Sequence, residues 1–278
     1  MSLLQKPARQ RSALKTQATI LLGAGILACV SFSESARAEG ETTREIQVSQ
    51  RSWLYLDDAV VAAPFRVLAV SRVTYTSADG AARPFASDLA HPGAVLESGA
   101  EVGIAPALSI AVSGATDVLG LTGRPASGMS AGLRLAPFAT LLRSTRIVAS
   151  AGYLNELSGS HGAWAKLAVI RELGRARIGA TANAQHVYAM KRDAMDVMVT
   201  AGASYQVTGP LRVGVEYVAQ DLEGAVDPEE AEGIRHFIGP TVAVELPKEH
   251  LAVVFGPAAG LSAHSPYALG RAAIAYSF

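Results

Sequence analysis

Two histidine–serine neighbours, Ser160-His161 and His264-Ser265, are the nearest this sequence comes to a nucleophile beside its base. Adjacent side chains on a strand point to opposite faces, so neither pair forms a catalytic couple within a strand. Both fall at loop positions, where geometry is freer, which leaves a loop-based hydrolase as the least favoured reading. The six histidines, His91, His161, His186, His236, His250 and His264, lack metal-ligand spacing. Asp221, Glu223, Asp227, Glu229, Glu230 and Glu232 cluster around one expected loop and offer hard oxygen ligands to divalent cations, but a solvated acidic loop explains them more simply. The glycine-rich pieces Gly99 to Gly103 and Gly256-Pro-Ala-Ala-Gly260 precede neither a helix nor Gly-Lys-Ser/Thr, so they hold no phosphate. No catalytic residue, metal or cofactor is assigned.

What does recur is charge confined to one face. Where the chain alternates, Arg66, Arg72, Arg134, Arg146, Lys166, Arg175, Arg177, Arg212, Arg235 and Arg271 fall opposite the apolar side chains, together with Glu97, Glu101, Glu172, Glu216 and Glu245. Enclosed by a closed sheet, such a set lines a basic lumen, and rings of Arg and Lys favour anions. The competing reading is that the arginines pair with the glutamates and fill a narrow interior.

The elements that must position these side chains are strands. From Arg66 onward, segments of ten to thirteen alternating residues end in turn signals. The expected strands are 66–77, 93–105, 107–118, 129–139, 145–157, 162–173, 175–188, 196–207, 211–223, 234–246, 251–262 and 267–278. In the ninth, Leu211, Val213, Val215, Tyr217 and Ala219 oppose Arg212, Gly214, Glu216 and Gln220. A soluble β-sandwich shows the same alternation with its apolar face turned inward. Turn lengths separate the two: short connections at Pro106, 140–144, Gly174, 208–210 and 247–250 alternate with longer polar ones, as in a membrane barrel.

Composition agrees. Half of the 278 residues are hydrophobic while 17% are charged, against the quarter usual for soluble domains. A basic stretch, Lys6 to Lys15, an apolar run, Ala18 to Val30, and Ala36-Arg37-Ala38 read as a signal peptide cleaved before Glu39, leaving a mildly acidic chain with no nucleic-acid signature. The only cysteine, Cys29, lies in that segment, and Ile26-Leu27-Ala28-Cys29 weakly matches a lipoprotein processing box. No later apolar stretch approaches the roughly twenty residues of a spanning helix, so a closed barrel is the remaining way into a membrane. Residues 39–65, with Trp53-Leu54-Tyr55-Leu56 ahead of Pro64, are expected as a periplasmic lead-in or a partial plug.

The last strand carries Arg271, Tyr276 and a terminal Phe278, with Ala273 where a glycine is usual. This resembles the carboxy-terminal assembly signal of Gram-negative outer-membrane β-barrels. The resemblance covers one strand, to the broad class rather than to a particular family. It implies an up-and-down antiparallel barrel of about twelve strands over 66–278, in the outer membrane, meeting lipid, lipopolysaccharide, the barrel assembly machinery and small solutes. Barrel hydrolases of that membrane place histidine and serine two apart on one strand, and no His-x-Ser occurs here.

The expected function is porin-like passage of small hydrophilic solutes with anion preference. Arg134, Arg146, Lys166, Arg175, Arg177, Arg212, Glu216, Arg235 and Arg271 are the expected lumen residues, and the alternative is a non-conducting barrel whose outer loops bind a partner or lipopolysaccharide.

Overall fold

The computed structural model describes residues 53–77, 93–118, 127–137, 144–156, 159–188, 195–220, 222, 234–263 and 265–278. The expected signal segment with Cys29, His91, His264 and the acidic residues Asp221, Glu223, Asp227, Glu229, Glu230 and Glu232 lie outside them.

Twelve strands form: β1 (Val67–Thr76), β2 (Gly93–Ala105), β3 (Leu108–Asp117), β4 (Ser127–Leu135), β5 (Thr145–Asn155), β6 (His161–Leu173), β7 (Ala176–Val187), β8 (Met195–Thr208), β9 (Leu211–Gln220), β10 (Arg235–Leu246), β11 (Leu251–Gly260) and β12 (Ala268–Ser277). Each pairs antiparallel with its neighbours in sequence, and β1 pairs with β12, from Leu68 opposite Ser277 to Thr76 opposite Leu269, so the sheet closes into a barrel with no free edge. Closure satisfies the strand backbones, which is what lets strands stand in a bilayer.

Alternation decides which way each side chain points. Val213, Val215 and Tyr217 of β9 face out, while Arg212 and Glu216 are buried inside. The outward surface is an apolar band that includes Val73, Val112, Leu133, Leu167, Ile178, Phe255 and Ile274, all exposed. Tyr75, Tyr153, Tyr188 and Tyr217 ring the end that carries the longer connections, and Tyr205, Tyr276 and Phe278 sit toward the other. Two aromatic girdles around an apolar band mark the two interfaces of a membrane barrel.

Strand limits differ from expectation where backbone chemistry intervenes. β4 stops at Leu135, two residues before Pro137, which has no N–H to give to the ladder. The short connection between β6 and β7 is Gly174-Arg175, with Gly174 at a φ of 66°, so Arg175 stands in an exposed turn and not on the inner wall. Its removal from the expected lumen set follows from the two-residue hairpin, which starts β7 one residue later than the sequence suggested.

The barrel is not empty. Residues 53–63 run through it, and Trp53, Leu54, Tyr55, Leu56, Asp58, Ala59, Val61 and Ala62 are all buried. Leu54 and Tyr55 pack with Val218, Phe237, Val254 and Leu269, and Trp53, Leu56 and Val61 pack with Val148, Ala168 and Ile170. Glycines on the inner wall make the room. A Cβ at Gly202 would lie 2.8 Å from the Trp53 ring, one at Gly179 3.1 Å from Leu56, and one at Gly103 1.9 Å from the Ala63 carbonyl oxygen. The segment leaves by the short-turn end, where Pro64 bridges to Gly103 and exposed Phe65 turns the chain into β1.

Gly202→Leu fills the seat of the Trp53 ring while leaving the strand ladder intact. The expected result is a barrel that keeps its heat-modifiable gel migration but shows red-shifted tryptophan emission, more accessible to acrylamide; unchanged emission would contradict this seating.

Candidate functional site

Glu216 is the first anchor of the inner segment. Held by β9 on the inner wall and 1% exposed, its carboxylate accepts the backbone N–H groups of Leu54 at Oε1 and of Tyr55 and Leu56 at Oε2, each at 2.8 Å. Arg271 of β12 completes this end: its Nη1 donates to the Leu54 carbonyl oxygen at 3.2 Å, and its guanidinium lies 5.4 Å from the Tyr55 ring centroid. An irregular backbone inside a barrel has no strand partner, and here one carboxylate and one guanidinium provide that pairing.

The second anchor is charged on both sides. Asp57 accepts a bidentate pair from Arg134 of β4, at 2.8 and 2.7 Å, and Arg134 also donates to the Val60 carbonyl oxygen at 3.0 Å. Lys166 of β6 stands 3.5 Å from the same aspartate. Glu101 of β2 lies 3.3 Å from Arg134 Nε, accepts the Ala62 N–H at 2.7 Å and accepts the Ser109 hydroxyl at 2.7 Å. The Asp57 N–H donates to Thr181 Oγ1 at 3.1 Å.

Toward the short-turn mouth the charges alternate around the wall. Arg146 meets Glu172 at 2.8 Å, Glu172 meets Arg177 at 2.9 Å, Arg177 approaches Glu245 at 3.8 Å, and Glu245 meets Arg212 at 3.3 Å. Arg212 also donates to Ser204 Oγ and to the Arg175 carbonyl oxygen, both at 3.3 Å. Elsewhere Arg72 pairs with Glu97 at 2.9 Å, and Arg235 is buried near the long-loop end of β10.

Of the expected lumen residues, Arg134, Lys166, Glu216 and Arg271 therefore gather on the inner segment, Arg146, Arg177 and Arg212 form the mouth belt, Arg235 is buried near the long-loop end, and Arg175 meets the belt through its carbonyl. Of the expected assembly residues, Tyr276 and Phe278 pack edge to face on the outside with centroids 4.7 Å apart, while Arg271 points inward. His161 also faces out, stacked on Tyr153 at 6.4 Å, and His236 meets the Tyr217 hydroxyl at 2.6 Å through Nδ1.

Sequence reasoning missed three inner acids, Asp117, Glu156 and Asp196, buried at the long-loop ends of β3, β5 and β8. It also missed that Asp57, ahead of the first strand, is the partner of Arg134. The available signal was the run Trp53-Leu54-Tyr55-Leu56, four apolar residues without alternation, together with glycines at inward positions 179 and 202.

A closed, antiparallel, twelve-stranded barrel with an apolar aromatic-rimmed exterior and a polar interior is an outer-membrane β-barrel. A solved structure agrees on that fold. The KdgM porin is similar with a TM-score of 0.50 and 8% identity, covering 76% of this chain and 99% of that one. The NanC porin gives 0.49 and 9% over 75% and 98%, and an outer-membrane channel from Pseudomonas putida F1 gives 0.49 and 7% over 79% and 97%. No protein family and no curated protein matches the sequence. At 8% identity the likeness to the KdgM porin is one of fold.

Glu216→Gln keeps the size of the anchor and removes its charge. Charge-assisted hydrogen bonds lose about 2 kcal/mol on such a change, so release of the inner segment should become roughly thirtyfold easier. Chymotryptic cleavage within 53–56 reads that release, and a cleavage rate equal to that of the unaltered protein would show that Glu216 does not hold the segment.

Proposed function

We propose that this protein is a passage for small hydrophilic solutes across the outer membrane, closed in this conformation by its own residues 53–63, and anion-preferring once that segment withdraws. The observation that supports this most directly is that the segment lies inside the wall without belonging to it. All twelve strands pair with one another, and among the described residues the isolated bridge beside the segment is at its exit, between Pro64 and Gly103. Withdrawal therefore leaves the barrel closed upon itself.

Anion preference follows from what the segment takes away. With it go Asp57 and Asp58, and Arg134 and Lys166 lose the aspartate between them. Glu101 of the wall stays 3.3 Å from Arg134, so the level of Arg134 and Lys166 is left with one cation in excess, and there an anion exchanges its hydration for guanidinium and ammonium contacts that are weak enough to leave. The mouth belt keeps its own glutamates and contributes less. In this reading the first 38 residues are an export signal removed before Glu39, the terminal Tyr276 and Phe278 are read by the assembly machinery, and lipid and lipopolysaccharide surround the outer girdle.

One observation favours a second reading, a non-conducting barrel permanently filled: Trp53, Leu54 and Leu56 are no more than 4% exposed, and their contacts with the wall are apolar. Planar-bilayer recording separates the two. The mature chain should give rare, small currents. A chain beginning at Pro64 should give discrete steps with a reversal potential toward anions in a salt gradient, a preference reduced by Arg134→Gln with Lys166→Gln. A truncated barrel that inserts and stays silent would establish the filled-barrel reading instead.

A further inference from the structure

One pair of wall residues cannot join the ladder. Across the β10–β11 seam Ile238 faces Ala259 and Val242 faces Phe255, so Pro240 and Pro257, halfway between, face each other. The Leu261 N–H donates to the His236 carbonyl oxygen at 2.8 Å in this seam. Hydrogen-bonded pairs recur at every second residue of an antiparallel ladder, so 240 and 257 occupy a position that exchanges two bonds. Proline has no N–H, and with proline on both sides neither bond forms. The register is interrupted there, from Gly239 to Thr241 against Gly256 to Ala258, while Pro240 keeps its pairing with β9 and Pro257 its pairing with β12. Strand prolines belong at edges and bulges. Two opposed near the middle of β10 and β11 give a closed wall a pair of internal edges.

The break is bounded by Ile238–Ala259 toward the long loops and by Val242–Phe255 toward the short turns, which is roughly 14 Å of strand. Outside it Ile238 and Phe255 stand exposed in the apolar band. Inside it are Gly239, Thr241, Gly256 and Ala258, and a Cβ on either glycine would run into the proline carbonyl oxygen across the seam. The wall thus puts only small side chains behind the break. What backs it is the cluster in which Leu54 and Tyr55 of the inner segment pack with Phe237, Ala243, Val254 and Ala258. From Phe237 to Val244 and from Val253 to Gly260 neither strand carries a charge.

We propose that the β10–β11 seam is a lateral portal, shut while residues 53–63 are seated, through which a small apolar molecule about one aromatic ring wide passes from the lumen into the bilayer. The proposal rests on the withdrawal of that segment read above, and adds a sideways exit to the axial one. Parting the strands at 240 and 257 breaks no ladder bond, because none is there. Withdrawal of Leu54 and Tyr55 removes the packing that joins the two strands from within. The paired residues at each end of the break limit how far it widens, which sets the width of the solute. A charged solute would shed its water in the gap with no charged partner to meet it, whereas an apolar one moves from the inner cluster to the outer band without leaving apolar surroundings.

The test uses N-phenyl-1-naphthylamine, an uncharged aromatic amine that the lipopolysaccharide leaflet holds back and that fluoresces once it reaches the bilayer core. Cells carrying the full chain with Glu216→Gln, which loosens the segment, should take up the probe as much as about thirtyfold faster than cells carrying the unaltered chain, in step with the open population. In that background Pro240→Ala with Pro257→Ala returns both N–H donors to the seam and should slow uptake about fivefold or more. Ile238→Cys with Ala259→Cys, directly opposite at one lip of the break, should slow it likewise when oxidised to a disulfide, and dithiothreitol should restore it.

Heat-modifiable migration checks folding, and the staple carries the test should the alanine variant fail to fold, because its oxidised and reduced forms are the same folded chain. Uptake indifferent to the staple would overturn the portal. Anion current in a planar bilayer from a Glu216→Gln chain that admits no probe would overturn it and leave the axial passage standing. Staple-sensitive uptake without current would keep the portal and remove the axial passage. Neither uptake nor current would return the permanently filled barrel and overturn both. Staple-sensitive uptake equally fast with and without Glu216→Gln would overturn the part given to the segment in shutting the seam.

Discussion

Three backbone N–H groups on one carboxylate hold this structure's interior together. Inside a bilayer-spanning barrel an irregular backbone finds no strand to pair with, and every amide left unanswered is costly. Glu216 answers Leu54, Tyr55 and Leu56 at once, and Arg271 answers the Leu54 carbonyl from β12, three strands further round the wall. The arrangement is reciprocal. A carboxylate on the inner wall is itself expensive to bury, and three donors plus a neighbouring guanidinium offset that cost.

Once that backbone is seated, the rest of the interior follows from volume. Small barrels of about eight strands are filled by their own side chains, and sixteen-stranded ones leave an aqueous channel. Twelve strands lie between, too wide for short inward side chains to meet. An extended chain takes up the difference, provided the wall steps back where large side chains press against it. Gly202 and Gly179 provide that step under Trp53 and Leu56, and Gly103 lets the backbone at Ala63 reach the wall. The volume left over is a cavity of about 260 Å³ whose lining includes Tyr55, Arg72 and Trp164.

The wall was legible in the sequence because a barrel repeats one simple rule. Period-two alternation, turn residues and the alternation of short and long connections located all twelve strands, and β2 with both its limits, because each strand reads independently of its partners. Pro137 and the Gly174-Arg175 hairpin shifted ends by a few residues, since backbone hydrogen bonding and turn geometry set those limits and periodicity does not. The inside was harder. Which acid meets Arg134 depends on a residue 77 positions earlier in an irregular segment, and Glu216 reaches across 160 or more to its three amides. No local pattern encodes a contact of that kind. The apolar run 53–56 ahead of Pro64 fitted a lead-in and a plug equally well, and only the glycines facing it across the lumen distinguish the two.

Charge counting from sequence has a limit that this barrel makes concrete. Inward arginines were counted as a selectivity filter, yet a field depends on cations and counterions together, and part of the counterion set here rides on a segment that is not part of the wall. With 53–63 in place, Asp57 lies between Arg134 and Lys166 and Glu101 lies beside Arg134, so the interior at that level is balanced. With it gone, the same wall presents two cations against Glu101 in place of two carboxylates. Glu216 loses its three amide donors in the same step, so the wall gains a bare carboxylate as well. The two conformations thus differ in where charge is exposed more than in how much. Selectivity in the passage reading belongs to the open arrangement alone, set locally by Arg134 and Lys166, and no sum over the sequence contains it.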